Sequence, residues 1–142
     1  MNITSSNAQI LLSVPDLFPT PQQLQQFAAD DIYGTEPVQA GETMMGVDGH
    51  LTAGFTFVPT VQRYALMADS PSHYFFDQIY AQEKAQQTKF PINGVILLVA
   101  VGTKFTMTRG FLSTYQPLPD AKKVLQPRTH SITWERVLPS PS

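Results

Sequence analysis

Met44-Met45-Gly46-Val47-Asp48-Gly49-His50-Leu51-Thr52-Ala53-Gly54-Phe55-Thr56-Phe57 is the stretch on which the fold turns. Asp48-Gly49 is a strong hairpin signal, because glycine enters the positive-φ conformations that tight turns need. Beyond it Leu51, Ala53, Phe55 and Phe57 alternate with Thr52, Gly54 and Thr56, so a strand here has one apolar face and one small or polar face. Val38 to Met45 reads as the strand before the turn. Working back from it, Asp30 to Pro37 is an acidic turn or loop, with Gly34 giving backbone freedom and Pro37 holding Glu36 extended. Thr20 to Ala29 has a capping residue, Pro21 at the first helical position, and Leu24, Phe27 and Ala28 at helical spacing, so local rules favour a helix. Ile10-Leu11-Leu12-Ser13-Val14 is a short strand stopped by Pro15.

Working forward, Pro59-Thr60 breaks the alternation, and Val61 to Ala68 is a further strand with Tyr64 and Leu66 on one side. Asp69-Ser70-Pro71 predicts a helix start, with Ser70 as cap, Pro71 at the first position, and Tyr74, Phe75, Phe76, Ile79 and Tyr80 as an aromatic stripe facing a sheet. Glu83, Lys84, Gln86 and Gln87 give it a polar tail. Asn93-Gly94 signals a turn, Val95 to Val101 a buried strand, and Lys104 to Thr108 an alternating one after Gly102. Gly110 to Tyr115 continues the sheet, Pro117 to Gln126 is a loop carrying Lys122-Lys123, and Ser131 to Glu135 closes the chain with Ile132 and Trp134 inward. The end, about residues 138–142, with Pro139 and Pro141, is expected to be disordered.

Composition bounds the function. The 142 residues suit a single domain, residues 1–142, with one core. Charged residues make up only 14% against the roughly 25% of ordinary soluble domains, which fits a subunit buried among copies of itself. Twelve prolines favour many short elements. No apolar run approaches membrane-spanning length, and Met1 to Ser6 lack the basic start and apolar block of a signal peptide, so no membrane partner is expected. Without cysteine there is no disulfide, thiol nucleophile or cysteine-bound zinc.

Charge is lopsided within a net −2. Residues 1–78 carry eight acids against Arg63, and the remainder carries Glu83, Asp120 and Glu135 against eight bases. That split suits complementary surfaces on copies of one chain, or a mixed surface with no such meaning. His50, His73 and His130 fall in three different elements without metal-ligand spacing, so neither metal nor cofactor is expected. His73 and Asp77, one helical turn apart, read as a surface pair rather than a general-base dyad. Nothing marks an enzyme. The Lys122-Lys123 and Arg128 patch is too small to grasp a duplex, whereas a mildly acidic polar surface would let DNA slide past without sticking.

Phe27-Ala28-Ala29-Asp30-Asp31, the Met44-to-Leu51 hairpin, Asp69-Ser70-Pro71-Ser72 followed by Phe76-Asp77-Gln78-Ile79, then Asn93-Gly94, Gly110 and Ile132-Thr133-Trp134 occur in an order that resembles the tail tube proteins of tailed bacteriophages. The resemblance spans roughly residues 9–137. It implies a mainly β fold, a β-sandwich or half-barrel with one flanking α-helix, in which residues 22–28 are extended despite their helical pattern. It implies hexameric rings whose strands complete a continuous β-barrel around a channel, stacked into the inner tube of a virion tail that conducts the genome. Partners would be the tail sheath, baseplate and tape-measure proteins, with transient, non-specific DNA contact. The subunit would be made in the host cytoplasm, and its length is more like tubes inside contractile sheaths.

On that reading Gln39, Glu42, Asp48, Thr52, Thr56 and Gln62 are candidates to line the lumen, although strand alternation admits only one parity. The Asp30-to-Glu36 loop, with Asp30, Asp31 and Glu36, would meet Lys104, Arg109, Lys122, Lys123 or Arg128 of the next ring. Related secretion or bacteriocin tubes and other tail rings share the pattern. A small β-barrel ligand-binding module is the alternative of another class, and it requires a monomer with an apolar pocket.

Overall fold

The computed structural model describes residues 8–25, 27, 33–55, 57–99 and 101–141. Nine strands and one helix follow in the order β1 (Ala8–Val14), β2 (Phe18–Gln23), β3 (Tyr33–Thr35), β4 (Gly41–Met45), β5 (Leu51–Phe55), β6 (Thr60–Leu66), α1 (His73–Gln86), β7 (Ile92–Leu98), β8 (Thr103–Thr114) and β9 (Arg128–Pro141) among the described residues. Seven strands form an antiparallel sheet ordered β2-β1-β7-β8-β9-β6-β3, and β4 and β5 pair with each other as a separate hairpin. The protein is mainly β with one helix, as the sequence predicts.

One face of the sheet is the core. Ile10, Leu12 and Val14 of β1, Ile92 and Ile96 of β7, Met107 and Leu112 of β8, Ile132 and Trp134 of β9 and Tyr64 and Leu66 of β6 pack with Phe75, Phe76 and Ile79 of α1. The helical stripe therefore covers the sheet with only part of its width, and Tyr74 and Tyr80 stay exposed. Trp134 sets the shape of the core. A Cβ on Gly110 would lie 2.4 Å from its ring, and one on Gly94 would meet Leu12, Met107 and Trp134 within 3.1 Å, so both glycines make room for it inside strands. The indole N–H donates to Gln62 Oε1 at 3.1 Å and to Tyr64 Oη at 3.2 Å, while the Tyr64 hydroxyl donates to the same Gln62 oxygen at 2.5 Å.

Several local expectations yield to this packing. Asn93-Gly94 makes no turn but lies inside β7: Asn93 Oδ1 accepts the Arg109 N–H at 3.3 Å, opposite a bulge where Arg109 adopts φ 48°. That bulge shifts the side-chain alternation, so Met107 before it and Gly110 and Leu112 after it all face the core. Residues 22 and 23 are extended in β2, against the local helical pattern and as the family resemblance implies. Tyr33–Thr35, expected in a loop, pairs with β6.

The helix starts at His73, later than expected, and Ser70 does not cap it. Instead the Ser70 hydroxyl donates to Gln25 O, and Ser72 Oγ accepts the Gln25 N–H at 2.8 Å, so both serines tie the helix start to the segment after β2. Glu83, assigned to the polar tail, is buried and paired with Lys89 at 3.1 Å. Residues 138–141, expected to be disordered, belong to β9. Past Trp134 that strand pairs with β8 alone, and such an edge tolerates the missing N–H groups of Pro139 and Pro141.

Candidate assembly surface

The β4–β5 hairpin has no partner strand but its own among the described residues. Its turn is closed by Gly46 N–H to His50 O at 2.7 Å and Gly49 N–H to Gly46 O at 3.0 Å, with Gly49 at φ 86°. Asp48 Oδ1 accepts the His50 N–H at 3.1 Å, so this carboxylate shapes the turn. Every residue from Glu42 to Phe55 is exposed.

Register divides the hairpin into two faces. Thr43 pairs with Ala53, Met45 with Leu51 and Gly41 with Phe55, which makes one face almost wholly apolar. Glu42 opposite Gly54 and Met44 opposite Thr52 make the other, with the Thr52 hydroxyl donating to Met44 O at 3.2 Å. Phe55 is 76% exposed and Met44 73%, and Phe55 rests edge-on against the also exposed Phe57 with centroids 4.9 Å apart. A shallow groove where the hairpin meets β9 continues this surface through Val38, Val58, Pro59 and Val137. An isolated two-stranded hairpin is marginal in water, and exposed apolar surface of this kind is what protein interfaces cover.

The expected lumen residues separate. Glu42 and Thr52 share the more polar hairpin face, Asp48 sits at the tip, and Gln39 precedes β4 with its amide donating to Gly41 O at 3.2 Å. Gln62 is buried beside Trp134 and cannot line a channel, because its oxygen is the acceptor that the Trp134 indole N–H and the Tyr64 hydroxyl need inside the core. Thr56, Asp30 and Asp31 lie outside the described residues. Among the stacking candidates, Glu36 is exposed and 4.0 Å from Arg63, Lys104 and Arg109 lie along β8, and Lys122 and Lys123 are exposed in the β8–β9 connection.

Arg128 is not available for stacking. It is buried, donating to Asp77 Oδ1 at 2.9 Å, to Tyr115 Oη at 3.3 Å and through Nε to Gln116 O at 3.0 Å, a geometry that ties α1 to the connection. Tyr115 also donates to Asp77. Burial alone would raise the Asp77 carboxyl, but the Tyr115 and Arg128 hydrogen bonds and the guanidinium charge hold it below its ordinary value. Asp77 is thus Arg128's partner. His73, expected beside it on the surface, is buried and meets His130, with Nδ1 and Nε2 3.1 Å apart. Fifty-seven residues separate the two histidines, so no spacing rule could pair them.

Residues 1–138 match the family described as Tail fiber protein gp32. The chain belongs to that family. No curated protein matches this gp32-family chain. Among solved structures it is similar to a chain of the anti-feeding prophage baseplate, at TM-score 0.60 and 13% identity, covering 99% of this chain and 97% of that one. It is also similar to a chain of the sheath/tube terminator of an extracellular contractile injection system, at TM-score 0.61, 12% identity and 93% coverage of each. The sheath-tube complex of the same system gives TM-score 0.59 at 12% identity, with 94% and 89% covered. At such identities the likeness is one of fold, a phage tail-tube-like fold.

Proposed function

We propose that this gp32-family chain is a non-catalytic structural subunit of a phage tail, forming hexameric rings that stack into the inner tube through which the genome passes. The observation that carries the reading is the projecting hairpin, paired only with itself among the described residues and apolar on one face. Covering Met45, Leu51 and Phe55 against a neighbouring copy is favourable by about 1.5–3 kcal/mol for each side chain fully buried. A repeated heterologous contact of this kind closes into a ring when its rotation permits. The fold shared with baseplate and tube-terminator chains supports the same role, with sheath, baseplate and tape-measure proteins as neighbours. On this reading the Glu42 and Thr52 face turns to the lumen, where a mildly acidic lining keeps passing DNA from sticking.

The family description favours a second reading, a fibre subunit on the outside of the tail. Negative-stain electron microscopy of the purified chain, with light scattering across concentration, separates the two. Rings or hollow tubes of sixfold symmetry are expected. Slender threefold rods would replace the tube with a fibre, and a monomer at every concentration, with the hairpin open to solvent, would move the assignment to a binding module.

A further inference from the structure

His73 and His130 close a chain of hydrogen bonds that crosses four segments. His73, the first residue of α1, places Nε2 2.7 Å from Met67 O in the turn after β6. Its Nδ1 meets His130 Nε2 of β9 at 3.1 Å, and His130 Nδ1 faces the Gln116 N–H of the β8–β9 connection at 3.3 Å. Both ends are backbone groups whose roles are fixed. A carbonyl only accepts, so His73 Nε2 carries a proton and, in a neutral ring, its Nδ1 is bare. The shared bond then takes its proton from His130 Nε2, which leaves His130 Nδ1 free to accept the Gln116 amide. Two ring protons satisfy three bonds, and a third has no lone pair to occupy without breaking one of them.

We infer that the His73–His130 pair is an acid-sensitive latch that holds the start of α1 and the β8–β9 connection onto β9 while both rings are neutral. Protonation opens either the ring-to-ring bond, freeing the helix start, or the Gln116 bond, freeing the connection. The surroundings leave the added charge poorly compensated. Phe76 of α1 stacks on His130 with centroids 4.5 Å apart, Tyr115 stacks on it at 5.3 Å, and Arg128 of β9 repels a charge on either ring. Asp77 of α1 and Asp69 of the preceding turn attract it, but the Asp77 carboxylate is already engaged by Arg128 and Tyr115.

Burial, then the neighbouring His73 and Arg128, push His130 down to about 3, and burial lowers His73. Both groups bind protons more tightly in the unfolded chain. Their contribution is therefore intact above the unfolded histidine value of about 6.5 and is lost progressively as pH falls below it toward the lowered folded values.

Long-range proton–nitrogen NMR of the full-length ¹⁵N-labelled chain, in solution or by magic-angle spinning if it assembles, tests the latch directly. Both rings are expected as Nε2–H tautomers at pH 7.5, neutral at pH 6. Below pH 6.5 urea unfolding should show the folding constant falling by up to about tenfold per pH unit for each histidine. His130→Gln, which keeps the Nε2–H donor, and His73→Asn, which keeps the Nδ1 acceptor, should each flatten that dependence. Hydrogen exchange, corrected for its intrinsic pH dependence, should accelerate on acidification in residues 73–77 if the ring-to-ring bond opens, or in residues 115–130 if the Gln116 bond opens. An Nδ1–H tautomer on either ring, titration of either near 6.5 in the folded chain, or an unchanged pH slope in both variants would overturn the latch. If neither variant folds, the tautomers and titration of the unaltered chain decide the matter.

Discussion

Gln62 Oε1 is a single acceptor for two donors buried with it, the Trp134 indole and the Tyr64 hydroxyl. Gln62→Ala leaves the indole N–H with Tyr64 Oη, takes away the acceptor of the Tyr64 hydroxyl and opens a cavity, so a loss of about 2–4 kcal/mol is expected by urea unfolding. Tyr64→Phe should cost less, about 1 kcal/mol, because the indole keeps Gln62. Gly110→Ala drives a methyl group toward the Trp134 ring, and a loss of about 1–3 kcal/mol with the fold retained is expected in the same assay. None of these roles shows in local sequence. Gln62 shares the parity of Tyr64 and Leu66, but its polar side chain argues for solvent, so the two signals conflict, whereas Ile132 and Trp134 are legible as inward because their apolar character and parity agree. Buried polar residues are read only through partners distant in the chain, as the pairing of His73 with His130 also shows.

Helix α1 ends with Gln87 at φ 52°, a left-handed conformation that costs a residue with a Cβ about 1 kcal/mol. Gln87→Gly should recover about 0.5–1 kcal/mol, seen as a higher thermal midpoint. The helix itself was legible from its aromatic stripe, but its first turn was not. Ser70 and Pro71 carry the local signature of a start, and the chain uses Ser70 and Ser72 to bind the Gln25 backbone instead. Among strands, those with clean alternation or a short apolar run fall where the sequence puts them, as in β1 and β5, whereas β7 begins at Ile92 and ends at Leu98, three residues earlier at each end than the expected Val95 to Val101, because Val101 and Gly102 turn back onto Leu98 O. Expectations failed where a residue answers to a neighbouring strand. Asn93-Gly94 has the composition of a turn, yet Asn93 serves the Arg109 bulge and Gly94 the Trp134 ring.

For the molecule as a whole, the hairpin and the sheet have separate duties. Met45→Ser with Phe55→Ser changes side chains already open to solvent in the single chain, so monomer stability should stay within about 0.5 kcal/mol. Assembly should be lost, with light scattering reporting monomer where the unaltered chain forms larger particles. The hairpin was legible because its turn and alternation are local; its isolation from the main sheet was not, because that depends on which strands find other partners. The sheet carries a different consequence, in the order of synthesis. Strand β1 is translated first, but Ala8 pairs with Leu98 and Ser13 with Asn93. At roughly 5–20 residues per second, β1 waits on the order of 4–18 s for β7 to be made. Until α1 and β7 follow, Ile10, Leu12 and Val14 have only β2 beside them and lack most of the core they join, while the apolar hairpin leaves the ribosome behind them. A nascent chain in crowded polysomes is then most vulnerable to premature contact with its neighbours, and a chaperone that shields the first strand would raise the yield of subunits.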